Sequence, residues 1–187
     1  QSIGNWAFSG CTSLTEIKIQ SSIKEIGSSV FSGCTSLKTI TIPSSVTSIG
    51  SSAFSQCSSI ESITIPSSVI SIGSSSFNKC IKLKEIVIPS SVKIISNWAF
   101  YGCKELSKIA LPESFQSQIS FGTGSFSECT SLKEITTPSQ ISSINTSCFS
   151  KCTSLIKITI SSSVKMIESK SFEGCKNLEN IIFDTTV

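Results

Sequence analysis

Nine cysteines and not one histidine are the first chemical fact of this 187-residue chain. Cys11, Cys34, Cys57, Cys80 and Cys103 are each 23 residues apart, as are Cys129, Cys152 and Cys175; only the step from Cys103 to Cys129 is longer, at 26. Thiols in such a file could form disulfides, hold a metal or act as nucleophiles, and the period argues against all three. Residues stacked once per repeat stand about 4.8 Å apart with parallel side chains, whereas a disulfide prefers Cβ atoms about 3.8 Å apart. A single file cannot present four ligands tetrahedrally, and no histidine completes a zinc site or activates a cysteine or serine nucleophile. The file is read as buried thiols acting as small hydrophobes, which leaves the redox compartment open. Cys148 stands outside it, four residues before Cys152, in a slot held elsewhere by Ala7, Ala53 or Ala99. It is either a buried substitute for alanine or half of a local bridge.

Other chemical signals are weaker. Gly-Thr-Gly at Gly122 begins like a dinucleotide loop, but Ser127 stands where the third glycine belongs and no βαβ unit surrounds it. No serine sits in a G-x-S-x-G elbow. Neither an enzyme nor a cofactor is expected. Asn145-Thr146-Ser147 is a glycosylation sequon, read first as a turn. Trp6 and Trp98 share one slot four repeats apart, and Tyr101 follows Trp98 closely; they are secondary candidates for anchoring a partner or for covering an apolar edge. Charged residues are 14% of the chain, the net charge is +3, and lysine is the only basic residue. Its lysines are dispersed among glutamates, unlike a nucleic-acid footprint. No apolar run approaches the ~18 residues of a membrane span.

These residues are positioned by an internal repeat. One copy reads P-S-S-V-x-x-I-G-S-S-A-F-x-x-C-x-x-L-x-x-I-x-I, and eight copies plus a three-residue insertion account for the length. The array is one unit, residues 1–187, expected to be a fragment of a longer chain because neither end shows a polar cap. The tail alternates, as in Ile40 and Ile42 or Ile86 and Ile88, so each repeat supplies a short strand with inward isoleucines, and stacking yields a parallel sheet. Proline follows the strand at Pro43, Pro66, Pro89, Pro112 and Pro138. The middle, with apolar residues three apart, is expected to form one turn of α- or 3₁₀-helix, begun by Ser51 or Ser52 and closed near Gly10, Gly33, Gly102 or Gly174. Positive φ is expected in the glycine column Gly4, Gly27, Gly50, Gly73 and Gly122, where Asn145 is the tolerated replacement. The expected class is α/β: eight turns, a sheet on the concave face and short helical turns opposite. Phe8, Phe31, Phe54, Phe77, Phe100, Phe126, Phe149 and Phe172 occupy one slot without exception, and each ring is expected to stack on those above and below.

Recognition is left to the outward positions. Residues alternating with the inward isoleucines form two columns on the strand face, and the partner-binding candidates are Thr64, Glu85, Val87, Lys108, Ala110, Glu134 and Thr136. Glu85, Val87, Lys108 and Ala110 mix apolar and charged groups where neighbouring repeats offer threonine and serine. The insertion, Gln118 to Ser120 or its equivalent, follows directly and is expected to bulge from that flank.

L-x-x-I-x-I-P followed by V-x-x-I-G-x-x-A-F-x-x-C resembles the 23-residue leucine-rich repeat of the BspA-like family along all eight copies. Departures are the insertion between Phe115 and Phe121, Thr137 in place of isoleucine, and Gln20, Ser161 and Asp184 in place of proline. The resemblance implies a leucine-rich-repeat solenoid that binds a protein, most often as a surface or secreted adhesin contacting host-cell or matrix proteins; the alternative is a cytoplasmic scaffold that holds a signalling enzyme. It does not name the partner, because fold does not fix function.

Overall fold

The computed structural model describes residues 2–112 and 114–185. Fifteen short strands follow one another: β1 (Glu16–Lys18), β2 (Glu25–Ile26), β3 (Thr39–Thr41), β4 (Ser48–Ile49), β5 (Ser62–Thr64), β6 (Ser71–Ile72), β7 (Glu85–Val87), β8 (Ile94–Ile95), β9 (Lys108–Ala110), β10 (Ser120–Phe121), β11 (Glu134–Thr136), β12 (Ser143–Ile144), β13 (Lys157–Ile160), β14 (Met166–Ile167) and β15 (Asn180–Phe183). Odd-numbered strands stack into one wall and even-numbered strands into another, and every pairing is parallel and in register, Ile63 on Ile86 and Ile49 on Ile72. The chain thus coils as a parallel solenoid of about seven complete turns, with part-turns at the ends making up the eighth copy in the sequence. The odd wall was expected. The even wall was not: its two-residue strands come from the V-x-x-I pair, too short for an alternating pattern to announce them.

No helical turn forms among the described residues, which overturns the α half of the expected class. Phenylalanine is the centre of a third wall in which amide donors alternate in direction. In one coil, Ser52, Phe54 and Gln56 donate to Ser74, Ser76 and Asn78 one coil on, while Ala53, Ser55 and Cys57 donate three residues back to Gly50, Ser52 and Phe54. A helix needs every amide directed back along its own axis; here half of them stitch coil to coil. The alternation requires left-handed backbone two residues before and two after each phenylalanine, and every copy has it, from Trp6 (φ 57°) and Gly10 (φ 73°) to Lys170 (φ 59°) and Gly174 (φ 75°).

The glycine column beginning at Gly4 is explained differently from expectation, since none of Gly4, Gly27, Gly50, Gly73 and Gly122 has positive φ. Close approach accounts for most of it. A Cβ on Gly73 would fall 2.6 Å from the carbonyl carbon of Gly50 and 2.7 Å from the amide of Ser51, in the neighbouring coil's backbone. Nor is Asn145 left-handed; its Oδ1 accepts the Ser143 hydroxyl at 2.6 Å.

The core runs the length of the array. The eight phenylalanine rings stack nearly parallel, with centroids 5.2 Å apart between Phe77 and Phe100 and 5.8 Å between Phe149 and Phe172. Phe31 through Phe149 are fully buried, while Phe8 and Phe172, at the two ends, are partly buried. Inward isoleucines such as Ile26, Ile49 and Ile86 fill the remaining space. Full burial of a large apolar side chain contributes about 1.5–3 kcal/mol, so cohesion is spread evenly over the coils.

Departures from the repeat are compensated locally. Where Ser161 replaces proline, its amide donates to the Thr137 hydroxyl at 2.8 Å, and Thr137 is itself the threonine that replaces isoleucine one coil earlier. The inserted residues lie between Pro112 and Ile119, because Ser120 already begins β10 in register with Ile94. Residues 114–119 make a fastened corner, not a free bulge on the strand wall. Phe115 and Ile119 are buried, the Phe115 amide donates to Gln140 Oε1 at 3.2 Å, and Gln118 Nε2 donates to Ser142 Oγ at 3.1 Å.

Candidate functional site

In β7 and β11 the middle residue is buried and its neighbours are exposed, so Glu85, Val87, Glu134 and Thr136 stand out from the odd wall; Thr64 does the same from β5. Register converts these into columns. Glu85 lies beside Lys108, Val87 beside Ala110, and Glu134 beside Lys157. Opposite charges side by side on parallel strands are mutually favourable, by a fraction of a kcal/mol at such exposure. Val87, in register between Thr64 and Ala110, is 57% exposed, an apolar side chain held in water on the strand that carries Glu85.

The odd wall is not continuous. Its ladder lapses between β3 and β5 and again between β9 and β11. Each lapse opens a depression. One of about 610 Å³ is lined by Lys108, Ala110, Glu134 and Thr136 together with Ile109, Leu111 and Lys133. The other, about 750 Å³, lies between β1, β3 and β5 and includes Thr64. Four of the sequence candidates therefore meet at one hollow, Glu85 and Val87 flank it on β7, and Thr64 lines the other. Leu111, Lys133 and half-buried Ile109 belong to the hollow but carried no signal of their own in the sequence; the 26-residue step, which falls across this same pair of coils, was the available hint.

Trp98 and Tyr101 are on the third wall, away from these strands. Trp98 is 46% exposed at a left-handed φ of 54°. Partial burial, with the Glu128 carboxylate as a neighbour, holds the Tyr101 pKa above the ordinary phenol value. Lys151 Nζ lies 3.0 Å from Glu128 Oε1; that bond first, helped by the neighbouring Tyr101 hydroxyl, holds the Glu128 carboxyl below its ordinary range.

All nine cysteines are free, so no bridge joins Cys148 to Cys152. Cys148 is buried, its Sγ 3.3 Å from Ser125 Oγ. The file does more than fill space. Cys34, Cys57, Cys80, Cys103, Cys129, Cys152 and Cys175 each donate Sγ–H to the phenylalanine carbonyl of the coil before, at 3.0–3.4 Å. That carbonyl already accepts the amide of its own turn's cysteine, so both lone pairs are used. Burial raises these thiol pKa values, Cys103 and Cys148 to about 12, which keeps them neutral and unreactive. Cys11, at the first coil, is exposed. Among the described residues no group of three or more His, Cys, Asp or Glu is placed to hold a metal ion, and no helix is long and apolar enough to cross a membrane.

The whole array matches a family profile described as the BspA type leucine rich repeat region, over residues 1–107 and 105–187. A search of curated proteins finds no match. Among solved structures, a leucine-rich repeat protein from Bacteroides ovatus is 28% identical with a TM-score of 0.70, over 97% of this chain and 58% of that one. The T. pallidum leucine rich repeat protein is 27% identical with a TM-score of 0.65, over 95% of this chain and 71% of its own. A leucine rich cell surface protein from Faecalibacterium prausnitzii, 24% identical at a TM-score of 0.61, covers all of this chain with 70% of its length and shares the fold. The chain accordingly spans little more than half of the first of these relatives. With its profile matched from end to end and its coils stacked as these relatives' are, the chain belongs to the BspA-type leucine-rich repeat proteins.

Proposed function

We propose that this solenoid is a protein-binding scaffold that recognises its partner through the odd strand wall, as part of a surface or secreted adhesin. The observation that carries the reading is the hollow between β9 and β11, where Lys108, Ala110, Glu134 and Thr136 meet beside Val87 and Glu85. Apolar area and opposed charges at fixed intervals suit a folded protein surface. The backbone beneath is rigidly stacked, so little ordering entropy is lost on docking. Complementary charge columns fix orientation and speed encounter more than they add affinity.

Exchanging the charges tests this. Glu85→Lys combined with Lys108→Glu retains the side-by-side pair and hence the fold, but inverts the pattern offered to a partner. Binding to host-cell or matrix proteins, measured by surface plasmon resonance against wild type, is expected to fall at least tenfold with the thermal midpoint unchanged. Undiminished binding by the exchanged variant places recognition off this wall.

A further inference from the structure

We propose that Trp98, with Tyr101, Glu128 and Lys151, forms a binding site for neutral carbohydrate on the third wall, separate from the strand wall. The first ground is the residue that fills the slot. The alternating amides require left-handed backbone there in every copy, and four of the eight residues are serine; an indole is an outlier in that conformation.

The second ground is that the next coil is shaped to receive the ring. Gly124, in the same slot and itself left-handed, is where a Cβ would fall 2.6 Å from Trp98 Cδ1 and 2.7 Å from Nε1. The glycine lets the indole rest against the neighbouring backbone, fixed on one side and 46% exposed on the rest. Phe100 fills the core beneath this wall, so the indole is not needed there. Among the described residues its N–H has no partner.

The third ground is the chemistry of the adjoining turns. The Tyr101 amide donates to the Trp98 carbonyl at 3.1 Å, which puts Tyr101 in the turn that Trp98 begins, and the Ser127 amide donates to the Gly124 carbonyl at 3.0 Å, with Glu128 next along the chain. The Tyr101 hydroxyl is a neighbour of the Glu128 carboxylate, which pairs with Lys151 at 3.0 Å, and Lys151 remains 62% exposed with N–H groups to spare. Because Glu128 is already paired, the cluster attracts neither a cation to stack on the indole nor an anion. A pyranose ring answers all these features: its C–H face stacks on the exposed indole, and its hydroxyls donate to carboxylate and accept from ammonium and indole N–H.

The test uses the folded chain with Trp6→Ser, which leaves Trp98 as the only tryptophan. Screened on an array of neutral and acidic oligosaccharides, this protein is expected to bind neutral glycans, with a matching change in Trp98 emission. Trp98→Ser keeps a residue native to the slot, and Gly124→Ala pushes the indole aside without removing it; each is expected to reduce binding at least tenfold, while Glu85→Lys/Lys108→Glu leaves it intact. Thermal midpoints establish that every variant is folded. No binding to any glycan on the array, binding that survives Trp98→Ser in the folded protein, or an emission change elicited only by basic peptides overturns the proposal.

Discussion

Ser76 is a hydroxyl with nowhere to go. It is fully buried, and it is the buried side-chain oxygen or nitrogen that finds no hydrogen-bond partner among the described residues. In the coils on either side the same slot holds Ala53 and Ala99, so alanine fits the space. An orphaned buried polar group costs about 1–3 kcal/mol, and Ser76→Ala removes it without opening a sizeable cavity. The expected result is a gain of about 1–2 kcal/mol, which for a chain of this size raises the thermal midpoint by roughly 2–8 °C. Two serines in the same slot predict the opposite sign. Ser171 donates its hydroxyl to the Glu168 carbonyl at 2.6 Å, with the Asn145 and Ile144 carbonyls at 3.2 and 3.3 Å, and Ser125 shares its hydroxyl with Cys148. Alanine at Ser171 is expected to lower stability by about 1 kcal/mol, and at Ser125 by less. The assay is circular dichroism during heating and urea denaturation of all three variants. A midpoint for Ser76→Ala at or below wild type refutes the assignment of an unsatisfied hydroxyl; a uniform shift in all three shows that slot volume governs instead.

Three further outcomes follow. Phe77→Ala removes a ring stacked between Phe54 and Phe100 at 5.3 and 5.2 Å and is expected to cost about 3–5 kcal/mol by urea denaturation, whereas Phe8→Ala, at a partly buried end, costs less; equal losses would contradict a continuous stack. The buried thiols set an alkaline limit. Their folded pKa values are raised above the ordinary 9.0, Cys103 to about 12, so the stability they contribute is fully present below pH 9. It is lost as pH climbs from about 9 towards 12, because the unfolded state ionises first, by up to about 1.4 kcal/mol per thiol per pH unit. Denaturant midpoints should fall steeply in that range, and at neutral pH a thiol reagent should label Cys11 promptly but Cys57 through Cys152 only after unfolding.

Much of the solenoid could be read from single columns. The unbroken phenylalanine slot and the strand isoleucines declare a shared core, since any coil lacking them would expose its neighbours. What the pattern misreported was local backbone. Phe-x-x-Cys-x-x-Leu has the spacing of a helix face, yet the same spacing arises when amides alternate between their own turn and the next coil. Glycine misled for a related reason: Gly73 is required by a neighbour's backbone at 2.6 Å, while left-handed φ falls on Ser52, Trp98, Lys79 and Glu128, residue types that do not advertise it. At the candidate site, alternation found the outward residues Glu85 and Lys108, but a lapse in the ladder is a property of two coils together and no single residue type marks it.

The stitching of the third wall also shapes how the molecule answers a pull. Because Ser52, Phe54 and Gln56 donate only to the following coil, tension along the axis loads successive interfaces in series, and the weakest opens first. Each 23-residue coil that peels away releases roughly 75–80 Å of chain, so the array pulled from both ends lengthens in steps, coil by coil.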